Sequence, residues 1–417
     1  MRIRTLLNKC QYLKSFVYQK EYFESKNGQE VLIIHIIPRK NSKPICSCCG
    51  KRNTIYDHQS QRDFEFVPLW GFKVFLRYKL RRVNCTTCGV KIEQIPWATS
   101  KNTLTNTYAQ FLAHWAKKLS WLEVARSFKT SWYHVFQGVK QVVEYGLKYR
   151  ELSGIKAIGI DEIHYGKGHQ YLTMVYQIEQ DHKRLLCIER DRKAKSLLKC
   201  FRTIGKANLK SIKFVCTDMW KAYLKVIKKK LPQALNILDR FHIVKKLNEA
   251  INKVRIKEVA KLKKDGFEPV LAKSKYCFLK REENLTEKQN IRLKDLLKMD
   301  LQSVKAYLYK QSFELFWQYK SPYWANLFLE KWCNSVMHSN LEPMKTFVKT
   351  LRNHQVLLMN WFKAKKVYSS GIVEGLNRKV NLVTRKSYGF RSYDILKIAL
   401  FHTMGDLPEP KTTHSFF

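Results

Sequence analysis

Short apolar runs separated by turn residues fill the middle of the chain, with the length and spacing of buried strands. Five such runs cover residues 157–160, 171–178, 184–188, 212–215 and 234–238. The first three are linked by Tyr165-Gly166-Lys167-Gly168 and by residues 179–183, which read as hairpin turns. A basic helix is predicted near residues 193–201, and another carries Trp220, Tyr223, Leu224 and Ile227. Hairpin strands followed by strand–helix units predict a mixed sheet with helices on its faces. In that order the first and fourth strands can lie side by side and parallel.

The helical period appears earlier in the chain. A helix is expected over about residues 104–118, followed by Ser120-Trp121-Leu122-Glu123, which has the form of a capping box. Leu122, Ala125 and Phe128 then fall on one face, and Lys129-Thr130 breaks the pattern. Ser131 caps a second helix with Val135, Val139 and Val142 inward. Two short helices joined by a tight turn are the form of a DNA-reading helix-turn-helix, although a plain helical hairpin has the same pattern. The second helix is expected to expose Trp132, His134, Gln137, Lys140 and Gln141 as DNA-binding residues.

Composition narrows the partner. The chain has 78 Lys+Arg against 34 Asp+Glu, a formal charge of +44 spread along its length. That favours a polyanion, bound with release of its counterions. A hydrophobic fraction of 45% excludes a disordered basic tail. No run of about 18 apolar residues occurs, and the amino terminus leads into no signal-peptide core. A cytoplasmic, nucleoid-associated protein with no membrane role is therefore expected.

The cysteines follow a metal pattern. Cys46-x-x-Cys49-Gly50 and Cys85-x-x-Cys88-Gly89 are two knuckles whose four thiolates suit a structural zinc ion. Between them, the alternating stretch 72–78 reads as hairpin strands, which makes a zinc ribbon of wide spacing. Cys48 competes as a ligand, but the pair Cys46 and Cys49 keeps glycine directly after the second thiol, as at Cys88-Gly89.

Acidic residues are scarce, so their positions carry information. Asp161, Asp218 and Asp239 each follow an apolar run, and Asp161 and Asp218 are expected at neighbouring carboxyl ends of the sheet. Carboxylates that close repel unless a cation lies between them. Two Mg²⁺ ions, or Mn²⁺, would then need a third acid, and Glu374 in Gly371-Ile372-Val373-Glu374-Gly375-Leu376-Asn377 fits on a helix. Either Asp239 is simply the cap of the following helix, or Asp239 and His242 brace the metal site or touch the scissile phosphate.

The order of these features resembles bacterial insertion-sequence transposases of the DDE type, in particular the group called the ISL-three family. The matching segments are the two cysteine knuckles, 158–165, 217–223, Asp239 to His242, and 371–377 through Arg385-Lys386-Ser387-Tyr388-Gly389-Phe390-Arg391. The resemblance implies an RNase H-like fold with Asp161, Asp218 and Glu374 as catalytic triad. It also implies an all-helical insertion over about 245–365, consistent with the lysine-rich, strand-poor composition there. The expected architecture is a multidomain α+β chain. A zinc-ribbon domain covers 1–100, a helix-turn-helix 101–150, and an RNase H-like catalytic domain 151–417.

By the same resemblance the chain binds terminal inverted repeats, cleaves DNA and joins the freed end to target DNA. The basic aromatic segment 385–393, with Arg385, Lys386 and Arg391, is expected along the DNA path, the alternative being a packed C-terminal helix. Joining two ends implies a homodimer or larger assembly on DNA. The alternatives are a DNA-binding regulator with an inert nuclease domain and a simple RNase H-type nuclease. Asn381 departs from the family, which often has a basic residue there; Arg378 or Lys379 could substitute.

Overall fold

The computed structural model describes residues 3–99, 102–165, 170–268, 270–367, 370–387, 389–390 and 392–411. Arg391, Tyr388 and the turn 166–168 thus lie outside the described residues. The chain forms two compact units, 1–151 with 380–417, and 152–379. The last segment therefore packs with the amino-terminal unit, not with the sheet that precedes it.

The first unit opens with α1 (Ile3–Cys10), then β1 (Phe16–Lys26), β2 (Gln29–Pro38), β3 (Thr54–Leu69), β4 (Phe72–Cys85) and β5 (Gly89–Ile92). The sheet order is β1-β2-β4-β3, with β5 paired to the far end of β4. The predicted ribbon hairpin is thus the long β3–β4 pair, and β1 and β2 extend its sheet. The alternation along β4 buries Val74, Leu76, Tyr78 and Leu80 against Phe16, Phe64 and Trp97. Arg81 and Glu93, both buried, form an ion pair at 2.7 Å that the Tyr78 hydroxyl completes at 2.7 Å.

Three helices follow: α2 (Asn106–Lys118), α3 (Trp121–Ser127) and α4 (Trp132–Tyr149). The Ser120 capping box is present, and Ser131 accepts from the His134 amide at 3.1 Å. Val135, Val139 and Val142 are buried as expected. Leu122 is not, at 48% exposure; the inward residues of α3 are Trp121, Val124 and Ala125. The buried face is shifted by one residue from the expected one, and the larger Trp121 ring takes the core.

The second unit is built on β6 (Ala157–His164), β7 (Tyr171–Ile178), β8 (Lys183–Arg190), β9 (Phe214–Thr217) and β10 (Leu235–Leu238). Helices α5 (Ala194–Ile204), α6 (Lys206–Ser211) and α7 (Lys221–Lys230) connect the last three strands. The order is β10-β9-β6-β7-β8, with β6 parallel to β9 and antiparallel to β7. This is the mixed sheet the sequence predicts. Ile158 and Ile160 join Leu197, Phe201, Tyr223 and Ile227 in one core on the α5–α7 face.

A helical segment follows: α8 (Arg240–Lys264), α9 (Lys275–Leu279), α10 (Glu287–Leu297), α11 (Gln302–Phe316), α12 (Pro322–Met337), α13 (Glu342–Asn353) and α14 (Gln355–Lys363). Its core is aromatic, with Phe313 against Phe316, Trp332 and Phe347. Then come α15 (Ser370–Lys386) and α16 (Tyr393–Met404).

Candidate active site and metal centre

Four thiols converge where β4 turns into β5. The potential ligand atoms of Cys46, Cys49, Cys85 and Cys88 all lie within 4.8 Å of one another. Cys48 is exposed and outside that group, in keeping with the register that uses Cys46 and Cys49. Gly50 and Gly89 follow the second cysteine of each knuckle with φ of 72° and 70°, a conformation that a side chain would strain. The backbone amides of Thr87 and Cys88 bond to Cys85 and lower its thiol to about 7, whereas the hydrogen bond with Cys49 and burial push Cys88 up. Only a cation lets all four ionise together. Four sulfur donors closed around one point suit structural zinc and leave no position open for catalysis.

The carboxylates gather on the other sheet. Pairing of β6 with β9 runs to Gly159 opposite Cys216, and β9 ends at Thr217. Asp218 thus leaves its strand beside β6. Asp161 does not end its own strand, because β6 continues to His164 paired with β7. The expected strand-end position is corrected: Asp161 lies within β6, where its parallel neighbour has stopped. The reason is the β7 hairpin, which keeps β6 extended after β9 has turned away.

Strand alternation sends Gly159 and Asp161 to the face opposite the Ile158–Ile160 core. There α15 lies against β6. A Cβ on Gly159 would stand 2.5 Å from Val373 Cγ2, so the helix approaches only because the residue is glycine. One turn on, Asn377 Nδ2 donates to Asp161 Oδ2 at 2.5 Å, and Asn377 Oδ1 accepts from the Tyr176 hydroxyl at 2.9 Å. The Glu162 amide donates to Asp161 Oδ1 at 2.8 Å. Burial nevertheless raises the Asp161 carboxyl, opposed by that amide and by His242.

Glu374 shares the same helix. Its side chain is 44% exposed and pairs with Arg378 at 2.7 Å. Among the described residues the cysteine quartet is the only group of three or more potential ligands that closes to 4.8 Å. The three acids therefore do not form a closed ligand set without a cation.

Of the roles left open for Asp239, the structure shows the helix cap, together with a bond to His242. Asp239 Oδ1 accepts from the Phe241 amide at 2.7 Å as the cap of α8, and its Oδ2 lies 2.9 Å from His242 Nδ1. That bond, with the charges of Asp239, Asp161 and Asp218, raises the His242 pKa. Asp218 Oδ1 accepts from the Trp220 amide at 2.9 Å.

Sequence reasoning missed three residues here. Burial, then the charge of Asp218, pushes Glu162 up to about 7, although Arg192 pairs with it at 2.7 Å. The Arg192 guanidinium lies 4.2 Å from the Trp220 ring centroid. Tyr176 gave no signal, being one apolar position of a strand; Glu162 was visible only as the neighbour of Asp161.

The expected DNA-reading residues are less free than their spacing suggests. Of the five on α4, only Trp132 is exposed, and it stacks on Phe136. His134 lies 3.0 Å from Glu65 and from Thr130, and Gln141 donates to Asn106 at 2.8 Å. Lys140 pairs loosely with Glu144, and Gln137 is half-buried. Packing of α4 against α2 and β3 draws this face inward. Lys386 donates to the Lys117 carbonyl at 3.3 Å, at the end of α2, and Arg385 is exposed.

Comparison with known proteins shows the family. Residues 158–400 match a transposase family model of the ISL3 type, and residues 42–88 match one described as the zinc-finger of transposase IS204/IS1001/IS1096/IS1165. The chain is 27% identical over 361 residues to the transposase for insertion sequence element IS1001 of Bordetella parapertussis, covering 85% of this chain and 87% of that protein. It is 25% identical over 421 residues to the transposase for insertion sequence element IS1557 of Mycobacterium tuberculosis, covering 95% and 94%. Among the described residues, no helix is long and apolar enough to cross a membrane.

Proposed function

This chain belongs to the ISL3 family of insertion-sequence transposases, DNA-cleaving and DNA-transferring enzymes, and from that premise we propose that Asp161, Asp218 and Glu374 are its catalytic triad. The observation that carries the reading is the clamp of α15 on β6. Asn377, one turn from Glu374, bonds directly to Asp161, beside the end of the strand that delivers Asp218. The fold thus supports three acids from β6, β9 and α15 serving one site.

Mg²⁺, or Mn²⁺, would be held by these three carboxylates. The donor chemistry fits, because burial and mutual charge raise Asp161 and Glu162, the mark of acids gathered where a cation would relieve them. When bound, a pair of such ions activates the attacking oxygen and stabilises the leaving one. Asn377 and the Glu162 amide orient the two oxygens of Asp161. His242, its pKa raised by the bond to Asp239, offers an N–H to a phosphate oxygen. No nucleophilic side chain is needed: water attacks first, and the freed 3′-hydroxyl then attacks target DNA in line.

The amino-terminal ribbon and helices would bind the terminal inverted repeats. Trp132, Gln137 and Lys140 are the contacts left most available on α4, and Arg385 is available at the end of α15. Two ends brought together require a dimer or larger assembly on DNA.

The test is purified protein with linear DNA carrying the cognate ends, with and without Mg²⁺. Metal-dependent cleavage and joining are expected in the wild type and absent in Asp161→Asn, Asp218→Asn and Glu374→Gln. Activity surviving in any of the three overturns that residue's assignment. Hydrolysis with no joining points instead to a nuclease, and binding with no cleavage to a regulator.

A further inference from the structure

A groove of about 1330 Å³ lies on the face of the second unit opposite α15, between α5–α6 and α7. This exceeds the roughly 300–1,000 Å³ of a small-molecule pocket. Its floor is apolar, with Leu198, Leu209 and Val226, and its rims are cationic. Lys221, Lys225 and Lys229 stand on one side; Arg202, Lys206 and Lys210 stand on the other. No acidic residue lines it among the described residues.

We propose that this groove seats an unpaired DNA strand running from the active site. Three observations converge on that occupant. The groove begins at Trp220, whose amide is bonded to Asp218, so a strand at the catalytic acids reaches it directly. Along α7 the lysines recur every four residues, about 6 Å per step, the scale of the repeat between successive phosphates in an extended strand. An apolar floor gains nothing from a duplex, which hides its base faces, but it covers the bases of a single strand while cationic rims hold its phosphates. Trp220, 39% exposed and backed by Arg192, presents a ring for stacking at the entrance. A second copy of this chain is a poor occupant, because each carries a charge of +44.

The proposal rests on the reading of Asp218 as catalytic. It is tested with full-length protein and a short bromodeoxyuridine-substituted oligothymidine, by photocross-linking with peptide mapping and by anisotropy across a salt series. Cross-links are expected in α7 and α5–α6, with yield falling about tenfold in Trp220→Ala. The triple variant K221Q/K225Q/K229Q should reduce the salt slope by about 2, at about 0.7 per lost phosphate contact. The arginine triple variant should restore it. Cross-links confined to other segments, or an unchanged slope in the glutamine variant, overturn the proposal. So does displacement by an acidic amphipathic peptide of cross-links that excess unlabelled oligothymidine leaves in place. Asp161→Asn separates the two readings: it abolishes cleavage yet keeps the groove cross-links. Wild-type cleavage without groove cross-links sinks the groove alone, and groove cross-links without any cleavage sink the catalytic assignment alone.

Discussion

Asn377 donates to Asp161 at 2.5 Å while accepting from Tyr176 at 2.9 Å, so one amide fixes a half-buried carboxylate and is itself held by the sheet. The relay joins α15 to β6 and β7 beside Asp161. Residues that hold a ligand in place commonly change metal affinity by about 10–100-fold when removed.

Asn377→Ala is accordingly expected to raise the Mg²⁺ concentration for half-maximal DNA cleavage by about tenfold or more. Tyr176→Phe should produce a smaller shift in the same direction. Metal titrations of cleavage rate check both; a curve for Asn377→Ala that overlays the wild type rules out the positioning role.

Gly159→Ala places a methyl 2.5 Å from Val373 Cγ2 and 3.1 Å from Ile178 Cγ2. Overpacking of this kind costs about 1–3 kcal/mol and should push α15 away from β6. Lower denaturation midpoints and weaker cleavage are expected, with partial recovery of both in G159A/V373A. Failure of the second substitution to recover either would mean that the helix contact is not the cause.

Zinc content separates the cysteines. Cys85→Ser should lose the metal and lower the melting temperature of the amino-terminal unit, because thiolate–metal bonds hold both knuckles. Cys48→Ser should retain zinc at the wild-type ratio by elemental analysis. Loss of zinc in Cys48→Ser would reverse the ligand register.

Burial, reinforced by Lys117, Lys386 and His114, lowers the His402 pKa to about 3, and its Nε2 has no partner among the described residues. The unfolded value is about 6.5. Between these values the unfolded chain binds a proton that the native chain does not. Stability is therefore full above about pH 6.5 and falls on acidification, by at most ~1.4 kcal/mol per pH unit. His402→Leu should flatten this dependence in denaturant melts between about pH 6.5 and 5. An unchanged slope would assign the acid sensitivity to other groups.

Much of the architecture was legible because it depends on local pattern. The apolar runs at 157–160 and 212–215 could pair as parallel neighbours once the hairpins were read, and the structure pairs them so, with Asp161 and Asp218 just beyond the paired residues. The CxxCG knuckles and the serine caps at Ser120 and Ser131 were legible for the same reason: each works within a few residues.

Tertiary structure decided what depends on distant partners. It drew His134 and Gln141 into contacts within their own unit, although their spacing suggests exposure. It joined β1 and β2 to the ribbon sheet, and it packed residues 380–417 with the amino-terminal unit. Above all it set Asn377 on Asp161 and Val373 over Gly159. Periodicity reports which side of a strand or helix is buried, but not which surface buries it. That choice is made by shape and hydrogen-bond complementarity between segments far apart in the chain.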